Sequence, residues 1–484
     1  MYKRWKYAAL PVVMVTVMVG CKVPAATERE PNRVVPGSYG GSAPAAGGLV
    51  ADSSNTATLP WQQFFADPYL RQLIDTALVR NQELGIALQE IEIARNEVRM
   101  RKGAILPNVA LRAGAGLEKV GRYTSQGAGD ATTEIKPGKD MPDPLGDFTI
   151  SAVANWEVDI WKKLHNAKKA AVSRYLSTVE GRNFVITNLV AEIAQSYYEL
   201  SALDNQLAIV KQYIVLQKQA RDIVQVQKEA ARATELAVQK FEAEVLKSES
   251  MEFEIRQQIT ETENRINLLL GRYPQPIARD SSGFQQLLPA LVQSGVPAQL
   301  LGNRPDIRQA ELELAAAKLD VKVARAEFYP SLDISAAIGL DAFNPSYLVK
   351  FPESILYSLV GDLAAPLINR NAIKAEFSSA NARQLQALYN YERSLINAYL
   401  EVSTQLSNIG NLGQRYEKKS KQVEALTRSI GIANDLFKSA RADYLEVLMT
   451  QRDALEARLE LVETKQQQLN AAVQVYRDLG GGWR

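Results

Sequence analysis

Four segments of this chain alternate apolar and polar side chains strictly enough to read as strands with one apolar and one polar face. In "DFTISAVANWEVDIW" (147–161), Phe148, Ile150, Ala152, Ala154, Trp156, Val158 and Ile160 share one side. Thr149, Ser151, Asn155, Glu157 and Asp159 share the other, with Val153 as the one apolar intruder. The alternation predicts strands at about 108–118, 148–160, 331–341 and 354–364. Each has about the 9–11 residues that a tilted strand needs to cross a bilayer. Backbone inside a bilayer must pair fully, so an open four-stranded sheet cannot stay there. The smallest membrane barrels have about eight strands, so copies would share one barrel: two copies give about eight strands, three about twelve. The other reading is a soluble sandwich packed on helices, and the rest of the chain argues against it.

The strands adjoin very long heptad patterns. Ile186, Leu189, Ile193, Ser196, Leu200 and Leu203 begin one seam, and Leu395, Ala398, Val402, Gln405, Ile409 and Leu412 begin another. A third runs from Leu445 through Leu448, Arg452 and Leu455 to Tyr476. A sustained period of 3.5 residues predicts left-handed supercoiling. A helix over about 165–229 would reach on the order of 100 Å at 1.5 Å per residue, far longer than a lone globular core requires. The chain also repeats itself. "ILPNVALRAGAGL" (105–117) matches "FYPSLDISAAIGL" (328–340), and "RATELAV" (232–238) matches "RADYLEV" (441–447). Each half reads helix, strand, loop, strand, long helical hairpin.

Composition removes several classes. The 484 residues carry a formal charge of +2, against the strong basicity usual in nucleic-acid binders. One His (His165) and one Cys (Cys21) leave no His/Cys metal site, Cys–His nucleophile or disulfide framework. No cofactor is expected. Lys3, Arg4 and Lys6 precede the apolar run "AALPVVMVTVMV", which is too short to span a bilayer as a helix, and "VMVGC" follows. Residues 1–20 therefore read as a secretory signal, and Cys21 as a lipidated mature N-terminus. An ordinary signal with an incidental Cys is the alternative. Cleavage would lower the formal charge to −1. Residues 21–60, with "PGSYGGSAPAAGG", read as an extended tether.

"WQQFFADPYLRQLIDTAL" (61–78), "NRPDIRQAELELAAA" (303–317), "ARAEFYPSLDISA" (324–336), "DYLEVLMTQR" (443–452) and "LGGGW" (479–483) together resemble the TolC-like outer-membrane factors, most closely the lipidated OprM/CusC/NodT branch. The resemblance spans nearly the whole mature chain. It implies an α+β membrane protein: a homotrimer whose four strands per chain form a 12-stranded outer-membrane β-barrel, continued by a periplasmic α-helical coiled-coil barrel. It also implies a periplasmic adaptor, an inner-membrane RND-type pump and surrounding outer-membrane lipid as partners. On this reading the chain divides into a first repeat at 61–271 (hairpin 165–270), a connecting equatorial segment at 272–300 and a second repeat at 301–484 (hairpin 371–479). The expected function is a passive exit duct for small molecules such as drugs, toxic compounds or metal ions. Alternatives are a duct for type I protein secretion with an ABC exporter, and a coiled-coil scaffold lipoprotein without a pore.

Arg112, Glu157, Asp159 and Asp333 fall on polar strand faces and are expected to line the pore. Glu157 and Asp159 also have the two-carboxylate look of a glycosidase pair, but no other catalytic cluster accompanies them. Trp156 and Trp161 suit an interfacial aromatic girdle, with core packing as the alternative. His165, at a strand-to-helix junction, is read as structural. The helical turns at Ala231–Arg232 and Ala440–Arg441 match the family's periplasmic tips, where Gly is usual, and are expected to meet the adaptor. Thr234 and Asp443 are placed to cap the following helices, Asp443 as part of a capping box with Glu446. The family's closed gate uses charged side chains near the tip, which points to Asp435 and its neighbour Asn434.

Overall fold

The computed structural model describes residues 25–27, 29–39, 55–281, 283–287, 293–366, 370–439 and 441–484. Cys21 and Ala440 lie outside the described residues. In chain order the main elements are α1 (Pro68–Arg80), α2 (Gln82–Gly103), β1 (Asn108–Glu118), β2 (Leu145–Val158), α3 (Lys163–Glu229), α4 (Glu235–Leu269), α5 (Pro305–Ala326), β3 (Ser331–Ala342), β4 (Ile355–Ala364), α6 (Asn371–Lys438) and α7 (Tyr444–Asp478). Among the described residues no helix is long and apolar enough to cross a membrane.

The chain forms two compact units. The first comprises Met1–Glu30, Glu92–Tyr175 and Leu312–Leu388. It holds one antiparallel sheet in the order β1-β2-β3-β4. Because every neighbour is antiparallel, the helix-connected ends of all four strands fall at one end of the sheet. The loops 119–144 and 343–354 fall at the other, the first carrying a short helix (Ser125–Asp130) and a two-stranded ribbon. Three strands match their expected ranges to within a residue. β2 starts three residues early and stops at Val158. It stops there because the Asp159 carboxylate turns to the next helix, accepting the N–H groups of Leu164 (3.0 Å) and His165 (2.8 Å). A small cluster of Val321, Ala324, Phe328, Phe377 and Ala380 also receives Ala26 of the N-terminal segment.

The second unit comprises Pro31–Ile91, Leu176–Glu311 and Tyr389–Arg484. Its core gathers Trp61, Phe65, Leu70, Ile74, Tyr197, Leu200, Ile266, Leu270, Val473 and Tyr476. Tyr197 donates to Asp67 (2.6 Å), and Tyr476 donates to the Leu59 carbonyl (2.7 Å). The heptad seam of α3 is buried from Ile186 to Val224, Gln217 included, except at the half-buried Leu207 and Arg221. Near the start of α7 the seam departs from expectation. Leu445 is exposed, while Val447 is buried and Tyr444 and Leu448 pack on Phe241 and Val238 of α4. The connecting segment is pinned by Arg279, which pairs with Asp204 and Glu263, each at 2.6 Å.

Arg304 of "NRPD" is 6% exposed and joins the start of α5 to the chain's C-terminal turn. It forks onto both oxygens of Asp306 and donates to Glu401 (2.7 Å) and to the Asp478 carbonyl (2.9 Å). Gly480 takes φ +89° where a Cβ would strike the Asn303 carbonyl, so only glycine fits that turn. Residues 31–39 of the expected tether are mostly exposed but attached at points: Asn32 N donates to Glu392, Arg33 pairs with Glu311, and the buried Tyr39 stacks on Tyr399 at 5.6 Å.

Candidate functional site: a two-faced sheet and two helical turns

Residues directly opposite in a ladder share a face, so the register defines the two sides of the sheet. Ile150 lies between Ala113 and Leu340, Ala152 between Leu111 and Ile338, and Trp156 opposite Ile334. Leu359 and Tyr357 continue this face on β4. It carries no charged residue on any of the four strands. Leu111 is 88% exposed, Tyr357 80% and Ile338 64%, so a large apolar surface stands uncovered in the single chain.

The other face carries Arg112 opposite Ser151, and six carboxylates: Glu118, Asp147, Glu157, Asp333, Asp341 and Asp362. Glu157, Asp333 and Asp362 form one row across β2, β3 and β4 at the helix-connected end. Lys163, just past β2, pairs with Glu157 at 2.5 Å and with Glu327 at 3.5 Å. Burial works against the Lys163 charge, but the two glutamates outweigh it and raise its pKa above the usual value. Ser331 donates to Asp333 (3.2 Å), and among the described residues neither Asp333 nor Asp362 has an ion-pair partner. Ser151, expected to be open on the polar face, is 5% exposed. Gly339 approaches so closely that a Cβ there would come 2.6 Å from that of Ser151.

Asp159 does not belong to this face. It lies one residue beyond the strand, and its carboxylate binds the start of α3 and His165 Nδ1 (2.6 Å). The family-style aromatic pair is also explained locally. Trp156 Nε1 donates to the Ile105 carbonyl (3.0 Å), and Trp161 Nε1 to the Pro330 carbonyl (2.8 Å). Both acceptors sit in the matched "ILP" and "FYP" segments that lead into β1 and β3. Both rings remain partly exposed, and Trp161 stacks on Tyr329 at 4.7 Å.

The two helical turns share one backbone hydrogen bond. α3 ends with Arg232 N–H bonded to the Gln227 carbonyl (2.7 Å), and α6 ends with Arg441 N–H bonded to the Leu436 carbonyl (2.9 Å). Ala231 takes φ +57°, the left-handed conformation in which glycine is at ease. Both arginines are exposed, and among the described residues neither has an ion-pair partner. Thr234 caps α4 through Ala237 N–H (3.2 Å), and Lys228 pairs with Glu235 across the turn. Asp443 caps α7 through Tyr444 N–H (2.6 Å). The capping box is not formed, because Glu446 N–H goes to the Asp443 backbone carbonyl (3.1 Å). Asp435 is exposed and Asn434 half-buried near the end of α6.

Paired long helical hairpins joined to a two-faced four-stranded sheet are the fold of solved outer-membrane channels. A crystal structure of CusC, 24% identical, covers 94% of this chain and 99% of its own with a TM-score of 0.81. The chain belongs to the outer membrane efflux protein family, whose profile matches residues 73–272 and 296–481. It is 28% identical to the cation efflux system protein CusC of Escherichia coli O6:H1 over 480 residues, 98% of each chain. It is equally 28% identical to the pyoverdine export outer membrane protein OpmQ of Pseudomonas aeruginosa over 437 residues, 90% of each chain. The protein is thus an outer-membrane efflux channel, from a family of channels rather than enzymes.

Proposed function

We propose that three copies close one 12-stranded barrel, with the uncharged face in lipid and Arg112, Glu157 and Asp333 on the lumen. The carrying observation is the sheet itself. Its apolar face is uncovered, and its outer strands, β1 and β4, each leave one edge unpaired within the chain. Neither edge can stay open in hydrocarbon, and four strands cannot close alone. The long hairpins form the periplasmic tunnel of two repeats, 61–271 and 301–484, linked by 272–300. Cys21 carries the lipid anchor. Passage is passive, driven by an inner-membrane RND-type pump through a periplasmic adaptor, and the cargo is a small molecule. CusC is named for cations and OpmQ for pyoverdine, which favours small-molecule cargo over type I protein secretion.

The adaptor docks on the turns at Ala231, Arg232 and Thr234 and at Ala440, Arg441 and Asp443, and the gate lies beside them at Asn434 and Asp435. Exposed arginines at equivalent places in both repeats, without ion-pair partners among the described residues, support this reading. Single exposed pairs contribute about 0–1 kcal/mol, but repeated contacts combine through avidity. The double variant Arg232→Glu with Arg441→Glu, expressed in cells, should lose adaptor pull-down and export while still inserting as trimers. Unchanged export and pull-down would remove the turns from the docking surface. Crosslinking in native outer membranes that yields only monomers would sink the shared barrel.

A further inference from the structure

We infer that the membrane section of this duct prefers cations over anions, and that Asp333 and Asp362 set the preference. The inference rests on the shared-barrel reading. The two residues face each other directly in the β3–β4 register, and Asp333 also faces Glu157. Like charges directly opposite in a ladder destabilise a sheet. Among the described residues only Glu157 of the three has an ion-pair partner, Lys163. On that face as a whole, six carboxylates stand against Arg112 alone, whereas the opposite face is uncharged. Charge of one sign on a wall backed by low-dielectric lipid focuses the field into the lumen and concentrates counter-ions there. The row sits at the strand ends joined to the helices, so a solute leaving the helical section meets it first on entering the barrel.

The solutes favoured are therefore inorganic cations and organic molecules with net positive charge. Anions are retarded unless screened. Arg112 does not reverse this, because it stands opposite Ser151 and Gly114 flanks it along the same face, away from the carboxylate row.

The test is the reversal potential of the purified full-length protein in planar phospholipid bilayers under a KCl gradient. With the dilute side near ~10 mM, where the Debye length is about 30 Å, potassium should carry most of the current, by on the order of tenfold over chloride. The preference should fade towards ~1 M salt, where the Debye length is about 3 Å. Asp333→Asn with Asp362→Asn should cut the permeability ratio several-fold while leaving the conductance near ~1 M salt, where the charges are screened, unchanged. Glu134→Gln, in the loop between β1 and β2, should leave it unchanged. Insertion without any conductance would refute the duct reading beneath the inference. A conducting wild-type channel with a reversal potential at zero, or of the sign for chloride, overturns the charge preference alone. So does a conducting double variant as selective as the wild type.

Discussion

Replacing Ile150 by arginine tests which face of the sheet meets lipid. Ile150 lies in β2 (Leu145–Val158) with Ala113 and Leu340 as its cross-strand neighbours, and it is 54% exposed in the single chain. At about 3.4 Å per residue and a tilt near 45°, each residue climbs about 2.4 Å through the bilayer. Ile150 is less than two residues from the middle of β2, so it sits within about 4 Å of mid-height. Arginine on the lipid face there costs about 2–4 kcal/mol, or roughly 30- to 700-fold in the folding equilibrium. A control must sit at the same height on the other face. Ser151 is unsuitable, because its side chain is buried against the backbone at Gly339. Thr149 is better, since it faces Gly114 on one side and the Asp341 carboxylate on the other. Thr149→Arg should cost about 0–1 kcal/mol, as an exposed charge pair. Urea-titrated folding into phospholipid vesicles, followed by heat-modifiable gel mobility, gives both values. Normal folding of Ile150→Arg alongside failure of Thr149→Arg would reverse the faces and refute the reasoning.

Cys21→Ser should abolish acylation, and mass spectrometry of the mature N-terminus reads this directly; a free thiol on wild-type Cys21 would disprove lipidation. Ala231→Gly relieves a left-handed alanine worth about 1–2 kcal/mol but loosens the unfolded chain by about 0.4–1 kcal/mol. Hydrogen exchange at the end of α3 should therefore slow slightly, and faster exchange would contradict the assignment of strain. Arg304→Met strips Asp306, Glu401 and the Asp478 carbonyl of their shared donor and should cost about 1–3 kcal/mol, seen as a lowered thermal midpoint in detergent. Burial, with Glu401 nearby, holds the Asp478 carboxyl above its ordinary pKa despite Arg477 and Arg304. The folded chain thus binds that proton more readily than the unfolded one, so this group's destabilising effect is greatest at neutral pH and disappears as pH falls through its raised pKa. Asp478→Asn should raise the thermal midpoint at neutral pH and make little difference in acid.

The strands were legible because alternation is a property of the chain alone. β1 follows its pattern from end to end, and the register sets the apolar residues of neighbouring strands on one face, apart from Ile160, which lies beyond the end of β2. What escaped was decided by competition. Asp159 continues the alternation, but a carboxylate placed before a long helix binds that helix's free N–H groups instead. Leu445 fits the heptad, but beside a tight turn Tyr444 joins Leu448 against the opposing helix and Leu445 is left exposed. Ser151 is polar and alternates correctly, yet it is buried, in a place where its strand neighbour Gly339, far along the chain, could not carry a side chain. The Arg304 network joins residues 304, 401 and 478, and no local pattern announces such a junction.

The duplicated hairpins have one further consequence. Their turns share a backbone hydrogen bond but differ in chemistry. One is crossed by the Lys228–Glu235 ion pair and capped by a neutral threonine; the other is capped by the charged Asp443. A threefold assembly would present six arginines in alternating surroundings, not six equal ones. A partner built from identical subunits would then meet two kinds of seat. It could fill them in two stages of different affinity, or bind with a period of two subunits, so that pairs become the natural unit of docking.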